Sequence, residues 1–504
     1  MTFNSLAFLI FFPVVTVLYF LLPGRFRWML LLAASYYFYM SWNPSLVFLI
    51  LFTTVVSYGA ALILEKTEKK SLRKLCLVVT LCACLGVLFF FKYFNFLSAS
   101  VTGLLRAFSL PVNDFLLDLV LPVGISFYTF QTLSYVIDVY RGTISAERHF
   151  GYYALFVSFF PQLVAGPIER PQSLIPQLKQ THTFSANDCT EGLKIMLAGF
   201  FKKVVVADQL ATYVVAVYSS PETATAPAII VATIMFTFQV YCDFSGYTDI
   251  AVGCARIMGI RLMQNFSLPF SARTIHEFWE RWHISLTSWF RDYIFYPLAM
   301  NKKLGRFARK WGKKAKNPRI GVMLPQCVAL LVTFLLSGLW HGAAWTFVLW
   351  GAIHGVYQVI GRITEKGREK IWQKLHVNME SPVYAFWQRA VVFVLCNFAL
   401  IFFRAGSVAD LGILLRNLFT NWQFAGTLEL LSIDELGVVI SAVSVLVMAL
   451  IDRLLVQGWP MRRLPAGGTL VKADVAAFLL MAITVAWLLL LAGDGAAAFI
   501  YFQF

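Results

Sequence analysis

Residues 321–360 read GVMLPQCVALLVTFLLSGLWHGAAWTFVLWGAIHGVYQVI, without one Asp, Glu, Lys or Arg. A spanning helix needs about 20 mostly apolar residues, so this stretch holds two, with a bend expected at Ser337-Gly338-Leu339-Trp340-His341-Gly342. Basic segments bound it: residues 301–319 hold nine Lys/Arg and no acid, and residues 361–374 hold five Lys/Arg. Lys and Arg gather on the cytosolic side of a membrane. The stretch therefore reads as a hairpin that leaves the cytosol and returns to it. His341 falls about 30 Å of helix beyond Gly321, between mid-membrane and the outer face.

The pattern recurs along the chain. Of 504 residues, 59% are hydrophobic and 13% charged, and the mean hydropathy is +0.70. Polar atoms cannot cover a water-soluble globule of that composition, and long apolar runs satisfy a buried backbone as helices, not as a barrel. The fold class expected is an all-α polytopic membrane protein of about eleven spans with re-entrant and interfacial helices. It forms a single integral-membrane domain, with N-terminal spans over 1–115, a core over 116–360, and C-terminal spans and tail over 361–504.

The formal charge of +16 invites a nucleic-acid reading, but the cations sit in short segments between apolar runs, where they set orientation instead. Residues 65–74 add a third basic segment, with five Lys/Arg. Working back through spans near 44–64, 28–42 and 3–22 puts the N-terminus outside. Working forward through spans near 384–403 and 437–452 places residues 405–436 outside, and a last span puts the C-terminus outside. Phe3 to Leu22 lacks a basic n-region and a small-residue cleavage site, so it reads as a retained span rather than a signal peptide. The eight cysteines show neither a disulfide framework nor zinc-ligand spacing, so no metal site is expected. Residues 119–142 and 159–178 interrupt apolar runs with Pro and Gly, which membrane depth tolerates only inside protein or beside a cavity.

Three constellations could carry chemistry. At 100° per residue, 276–293 (HEFWERWHISLTSWFRDY) predicts one helix with Trp279, Trp282, His283, Leu286, Phe290 and Tyr293 on one face. Glu277, Glu280, Arg281, Ser288 and Arg291 share the other, Glu277 and Arg281 being spaced to pair. His283 is then either a hydrogen-bonded core histidine or an active group, since an ionisable residue held at membrane depth is costly to keep. His341, between Trp340 and Gly342, either caps a bend or acts as a neutral imidazole able to take a hydroxyl proton. In 239–249 (QVYCDFSGYTD), Asp243, Ser245 and Tyr247 break an apolar run. Asp243 could orient a histidine, line a tunnel, or neutralise Arg256 or Arg261. Asn265 opens a loop, NFSLPF, leading into the aromatic helix. There is no Walker or dinucleotide glycine fingerprint, no Gly-x-Ser-x-Gly elbow and no His-Glu-x-x-His. A transporter is the alternative for a polytopic chain with buried Asp and His, but inverted repeats are not evident.

Taken together, PVGISFYTFQTLSYVIDVYRG (122–142), FFPQLVAGPIERPQSLIPQL (159–178), YCDFSGYTDIAVG (241–253), NFSLPF (265–270), FWERWHISLTSWFRDYIFYPL (278–298), SGLWHGAAWTFVLWGAIHG (337–355) and FIYFQF (499–504) resemble the bacterial membrane-bound O-acyltransferase family, in its alginate O-acetyltransferase-like branch. The resemblance implies a ring of helices around a tunnel in the bacterial inner membrane, with His341 as the catalytic residue and His283 as the second active-site residue. Asp243, Ser245, Tyr247, Asn265, Trp279, Trp282, Ser285 and Trp340 are candidates to line or support that tunnel. It also implies cytosolic acetyl-coenzyme A as donor substrate, with no bound cofactor. A periplasmic or surface SGNH-type acetyltransferase is the implied partner, with a polysaccharide as the indirect acceptor. Tyr501, in the terminal aromatic motif, could relay the acyl group or merely pack at the interface. The related teichoic-acid D-alanyltransferase branch, which would use a carrier-protein thioester, is the alternative, and the basic stretch 301–319 would attract either anionic donor.

Overall fold

The computed structural model describes residues 1–110, 112–457 and Phe499, and every regular element among them is helical. Contacts divide the described chain into two units. The first comprises Met1–Val204 and Asp243–Met263 with Phe499, and the second comprises Val205–Cys242 and residues 264–457.

The first unit contains α1 (Leu6–Leu21), α2 (Gly24–Met40), α3 (Val47–Lys66), α4 (Lys70–Leu88), α5 (Phe94–Ala107), α6 (Ile125–Arg141), α7 (Phe150–Ser158), α8 (Phe160–Leu163), α9 (Pro171–Lys179) and α10 (Ala186–Phe200). Side-chain oxygens start several of them: Ser5 accepts the Phe8 N–H at α1, and Ser185 accepts the Asp188 N–H at α10. With 16 and 17 residues, α1 and α2 fall short of the roughly 20 a full crossing needs. Of the Pro- and Gly-rich stretches, 119–142 is mostly the 17-residue α6, whereas 159–178 consists of the short helices α8 and α9 joined by a turn. Within them Glu169 is fully buried, and its Oε1 accepts the Met263 N–H at 2.5 Å. Burial pushes that carboxyl up to about 7.

The second unit holds α11 (Asp208–Tyr218), the start of α12 (Ala226–Ile257), α13 (Ile275–Arg281), α14 (Ile284–Phe290), α15 (Tyr296–Ala299), α16 (Lys302–Lys314), α17 (Ile320–His341), α18 (Trp345–Lys374), α19 (Pro382–Arg404), α20 (Val408–Thr420), α21 (Thr427–Leu430) and α22 (Glu435–Gln457). Among the described residues, six helical stretches are long and apolar enough to cross a membrane: Pro44–Lys66, Lys70–Ala107, Ala226–Ile257, Ile320–His341, Pro382–Arg404 and Glu435–Val456. The last span and tail expected from the sequence lie outside the described residues.

The hairpin differs from the expected one in where it bends. Ser337 to His341 stay helical, and the chain turns at Gly342–Ala344 instead. Gly338 is a packing residue: a Cβ there would sit 2.2 Å from the Phe347 carbonyl oxygen, and one on Gly351 would sit 2.2 Å from that of Phe334. The missing side chains let α17 and α18 touch backbone to backbone. The basic stretches flanking the hairpin are helical too, as α16 and as the end of α18.

A second close contact joins α10 to the end of α12 inside the first unit. Gly199 faces Gly246, and Gly192 faces Gly253, each built Cβ lying 2.5–2.7 Å from the opposing carbonyl oxygen. Seven residues separate the glycines on each helix, so one face of each presents both. Small residues are the means by which helices in lipid approach closely. Gly199→Leu is expected to lower the melting midpoint in detergent and the yield of folded protein, because overpacking costs about 1–3 kcal/mol where neighbours can shift and more against backbone.

Candidate active site

Thr274 opens α13 by accepting the Glu277 N–H, and Glu277 pairs with Arg281 at 2.8 Å, as their spacing predicts. The single helix expected over 276–293 does not form. It stops at Arg281, Trp282 is extended, and His283 takes a left-handed conformation (φ 45°, ψ 53°) before α14 begins. The loop at Asn265 accounts for the break. Its backbone carbonyl accepts the Ile284 N–H at 2.9 Å, its side-chain oxygen accepts the Ser285 N–H at 3.1 Å, and the Ser267 N–H donates to the Arg281 carbonyl at 3.0 Å. These bonds replace those a continuous helix would make around positions 281–285. They offset the left-handed backbone, which costs a non-glycine residue about 1–3 kcal/mol. The aromatic stripe is nonetheless buried, from Trp279 to Tyr293.

Asn265 also fixes the tautomer of His283. The Ser285 N–H can only donate, so the atom it meets is the amide oxygen, which also accepts the Ser285 hydroxyl at 2.9 Å. That oxygen lies 3.1 Å from His283 Nδ1. An oxygen can only accept, so the proton sits on Nδ1 and Nε2 keeps its lone pair. His283 lies in the break between two short helices, outside the spanning stretches, and is 0% exposed. Burial, with a smaller contribution from His341, holds its pKa well below the usual histidine value, so the ring is neutral.

Trp340 links the two candidate histidines, its ring centre lying 5.8 Å from that of His283 and 5.0 Å from that of His341. His341, 3% exposed at the end of α17, packs edge-to-face against Trp350 at 5.0 Å and Phe403 at 5.5 Å. The Trp350 indole N–H is buried without a hydrogen-bond partner among the described residues. His354 is a fully enclosed neighbour that the sequence did not single out: Trp279 Nε1 donates to its Nδ1 at 3.3 Å, and Trp350 lies 5.0 Å away. Trp282 stacks on Phe278 at 5.4 Å. All of these groups belong to the second unit.

Asp243, Ser245 and Tyr247 belong to the first unit, where other partners hold them. Asp243 pairs with Lys203 at 2.6 Å, and not with Arg256, which bonds Asp188 at 2.7 Å, nor with Arg261, whose backbone bonds Gln177. Lys202 donates to Ser245 at 2.8 Å and to Asp249 at 2.7 Å. Tyr247 stacks between Phe3 and Phe499, 4.5 Å from each. Tyr501 lies outside the described residues.

Residues 144–310 match the MBOAT, membrane-bound O-acyltransferase family. The probable alginate O-acetylase of Azotobacter vinelandii is 40% identical to this chain over 371 residues, 72% of this chain and 69% of that protein. The chain belongs to the membrane-bound O-acyltransferase family. The peptidoglycan O-acetyltransferase of Helicobacter pylori is 32% identical over 435 residues, 80% of this chain and 77% of that one. The teichoic acid D-alanyltransferase of Bacillus subtilis is 29% identical over 260 residues, 49% and 60% of the two chains. This O-acyltransferase is thus a multi-pass membrane enzyme, and the transporter alternative falls away. Asn265→Ala is expected to lower its turnover about 10²-fold while leaving donor KM nearly unchanged, because ring orientation is lost without loss of a binding group. Steady-state kinetics against Asn265→Asp, which keeps an acceptor oxygen and recovers part of the rate, checks it.

Proposed function

We propose that this O-acyltransferase moves acetyl groups from cytosolic acetyl-coenzyme A to an extracytoplasmic hydroxyl, in O-acetylation of a cell-surface polysaccharide. The observation that carries the reading is the buried assembly of Asn265, His283, Trp340 and His341, two imidazoles held on either side of one indole with one tautomer fixed. The acetyl reading is favoured over D-alanyl transfer because the relatives named for O-acetylation are more alike and match over more of both chains.

In the reaction the acceptor oxygen attacks the thioester carbonyl carbon while His341 takes the hydroxyl proton. The carbon–sulfur bond then breaks, and the proton passes to the departing thiolate, giving an ester and free coenzyme A. The acceptor lone pair on His283 Nε2 bars that neutral ring from donating to the carbonyl oxygen, so His283 takes a positioning or proton-accepting role. The Trp350 indole N–H beside His341, without a hydrogen-bond partner among the described residues, is the donor suited to the developing negative charge, where a preorganised donor is worth about 10²–10³-fold.

Basic segments 65–74, 301–319 and 361–374 face the cytosol in this reading, and both termini face outward in the bacterial inner membrane. An SGNH-type acetyltransferase would carry the acetyl group to the polymer, with Tyr501 as a relay. Purified chain in proteoliposomes, given labelled acetyl-coenzyme A inside and a soluble hydroxyl acceptor outside, tests the reading. Labelled ester outside with free coenzyme A inside supports it, and transfer only from a D-alanyl carrier-protein thioester overturns it.

A further inference from the structure

The helix α16, KKLGRFARKWGKK, carries seven cations and no acid in thirteen residues. At 100° per residue its surface divides into three strips. Ala308 and Gly312 are buried, with Leu304 and Gly305 beside them partly covered. Gly312 is pressed to the following turn so closely that a Cβ would meet the Asn317 carbonyl at 2.9 Å, and Gly321 of α17 lies against Arg309. Lys302, Lys303, Arg306, Arg309, Lys310, Lys313 and Lys314 occupy the opposite arc. Between these strips stand Phe307 and Trp311, 57% and 54% exposed, their rings stacked at 6.3 Å.

This arrangement fixes the helix at one depth. It is held against the first turn of α17, which begins a spanning stretch at Ile320, so it lies at the boundary of the hydrocarbon. Seven cations exclude it from the interior. Two exposed aromatic rings exclude a purely aqueous face, whereas aromatic rings beside Lys and Arg are the composition of a helix lying in the headgroup layer. A soluble polyphosphate would be met by the cations alone and would leave the rings in water.

We propose that α16 is a recognition surface for anionic phospholipid, with Phe307 and Trp311 seated among the acyl chains and the cation arc gathering phosphodiester headgroups around the protein. The proposal is independent of the acyl donor. Each Lys or Arg near an anionic surface strengthens association about fivefold, so the arc enriches acidic lipid beside Trp311.

The test places the full-length chain in nanodiscs containing brominated phosphatidylglycerol or brominated phosphatidylcholine at equal mole fraction. Quenching due to Trp311 is the difference between wild type and Trp311→Phe. The expected result is at least about twofold more Trp311 quenching by the brominated anionic lipid. In a Lys303→Gln, Arg306→Gln, Lys310→Gln, Lys313→Gln variant that excess disappears while quenching by brominated phosphatidylcholine persists, which shows the helix still in place. Equal quenching by the two lipids in wild type overturns the proposal. So does an excess abolished by millimolar coenzyme A, which would make α16 a site for a soluble donor.

Discussion

His341→Gln is expected to lower acetyl transfer by about 10²–10⁴-fold, the contribution of a positioned general base, while the protein still folds. Glutamine keeps much of the volume that His341 occupies against Trp350 and Phe403, but its amide cannot take a proton near neutral pH. The loss therefore appears in turnover and not in donor KM. His283→Gln leaves one imidazole in place and is expected to cost less, because the neutral ring is held by Asn265 and is not the group beside Trp350. The measurement is single-turnover transfer from labelled acetyl-coenzyme A, with melting midpoints recorded for both variants. Full activity in His341→Gln would remove the imidazole from the reaction.

Much of this site was legible in the sequence, but not its geometry. The apolar and polar faces over 276–293 follow a helical period, and burial of Trp279, Trp282, His283, Leu286, Phe290 and Tyr293 agrees with it. The break at Trp282–His283 escaped because nothing within those residues breaks a helix. It is imposed from Asn265, whose competing hydrogen bonds lie about five turns of helix away in sequence. The sequence places the hairpin bend over 337–342, but Gly338 lets two helices touch and the turn begins only at Gly342.

The sequence marks Asp243 as a carboxylate in need of a partner, with a histidine, a tunnel or Arg256 and Arg261 as the alternatives, whereas the observed partner is Lys203. Lys203 is the partner that reading overlooks, although Lys202-Lys203 are the only charged residues in the apolar run from Ile195 to Ala207. Two cations in such a run carry the same desolvation cost as Asp243, and each charge points to the other. The six spanning stretches follow from length and hydropathy alone, whereas α1, at 16 residues, is shorter than the span expected over 3–22.

Lys203→Met is expected to destabilise the first unit by about 3–5 kcal/mol, the usual consequence of removing one partner from a buried ion pair. Lys203 and Asp243 are 5% and 4% exposed at the side chain, with nitrogen and oxygen 2.6 Å apart, so removing the ammonium takes away a close charge from a carboxylate with little access to water. The neighbouring Lys202 is bonded to Ser245 and Asp249. The double variant Lys203→Met/Asp243→Leu removes both charges and fills both volumes with apolar atoms. It is expected to recover most of the lost stability, since replacing a whole buried pair by packed apolar side chains is often neutral or stabilising. Thermal unfolding in one detergent across wild type, both single variants and the double variant measures the coupling. Single-variant losses that simply add in the double variant would mean that Lys203 and Asp243 act separately, and the contact between them would then carry no stability of its own.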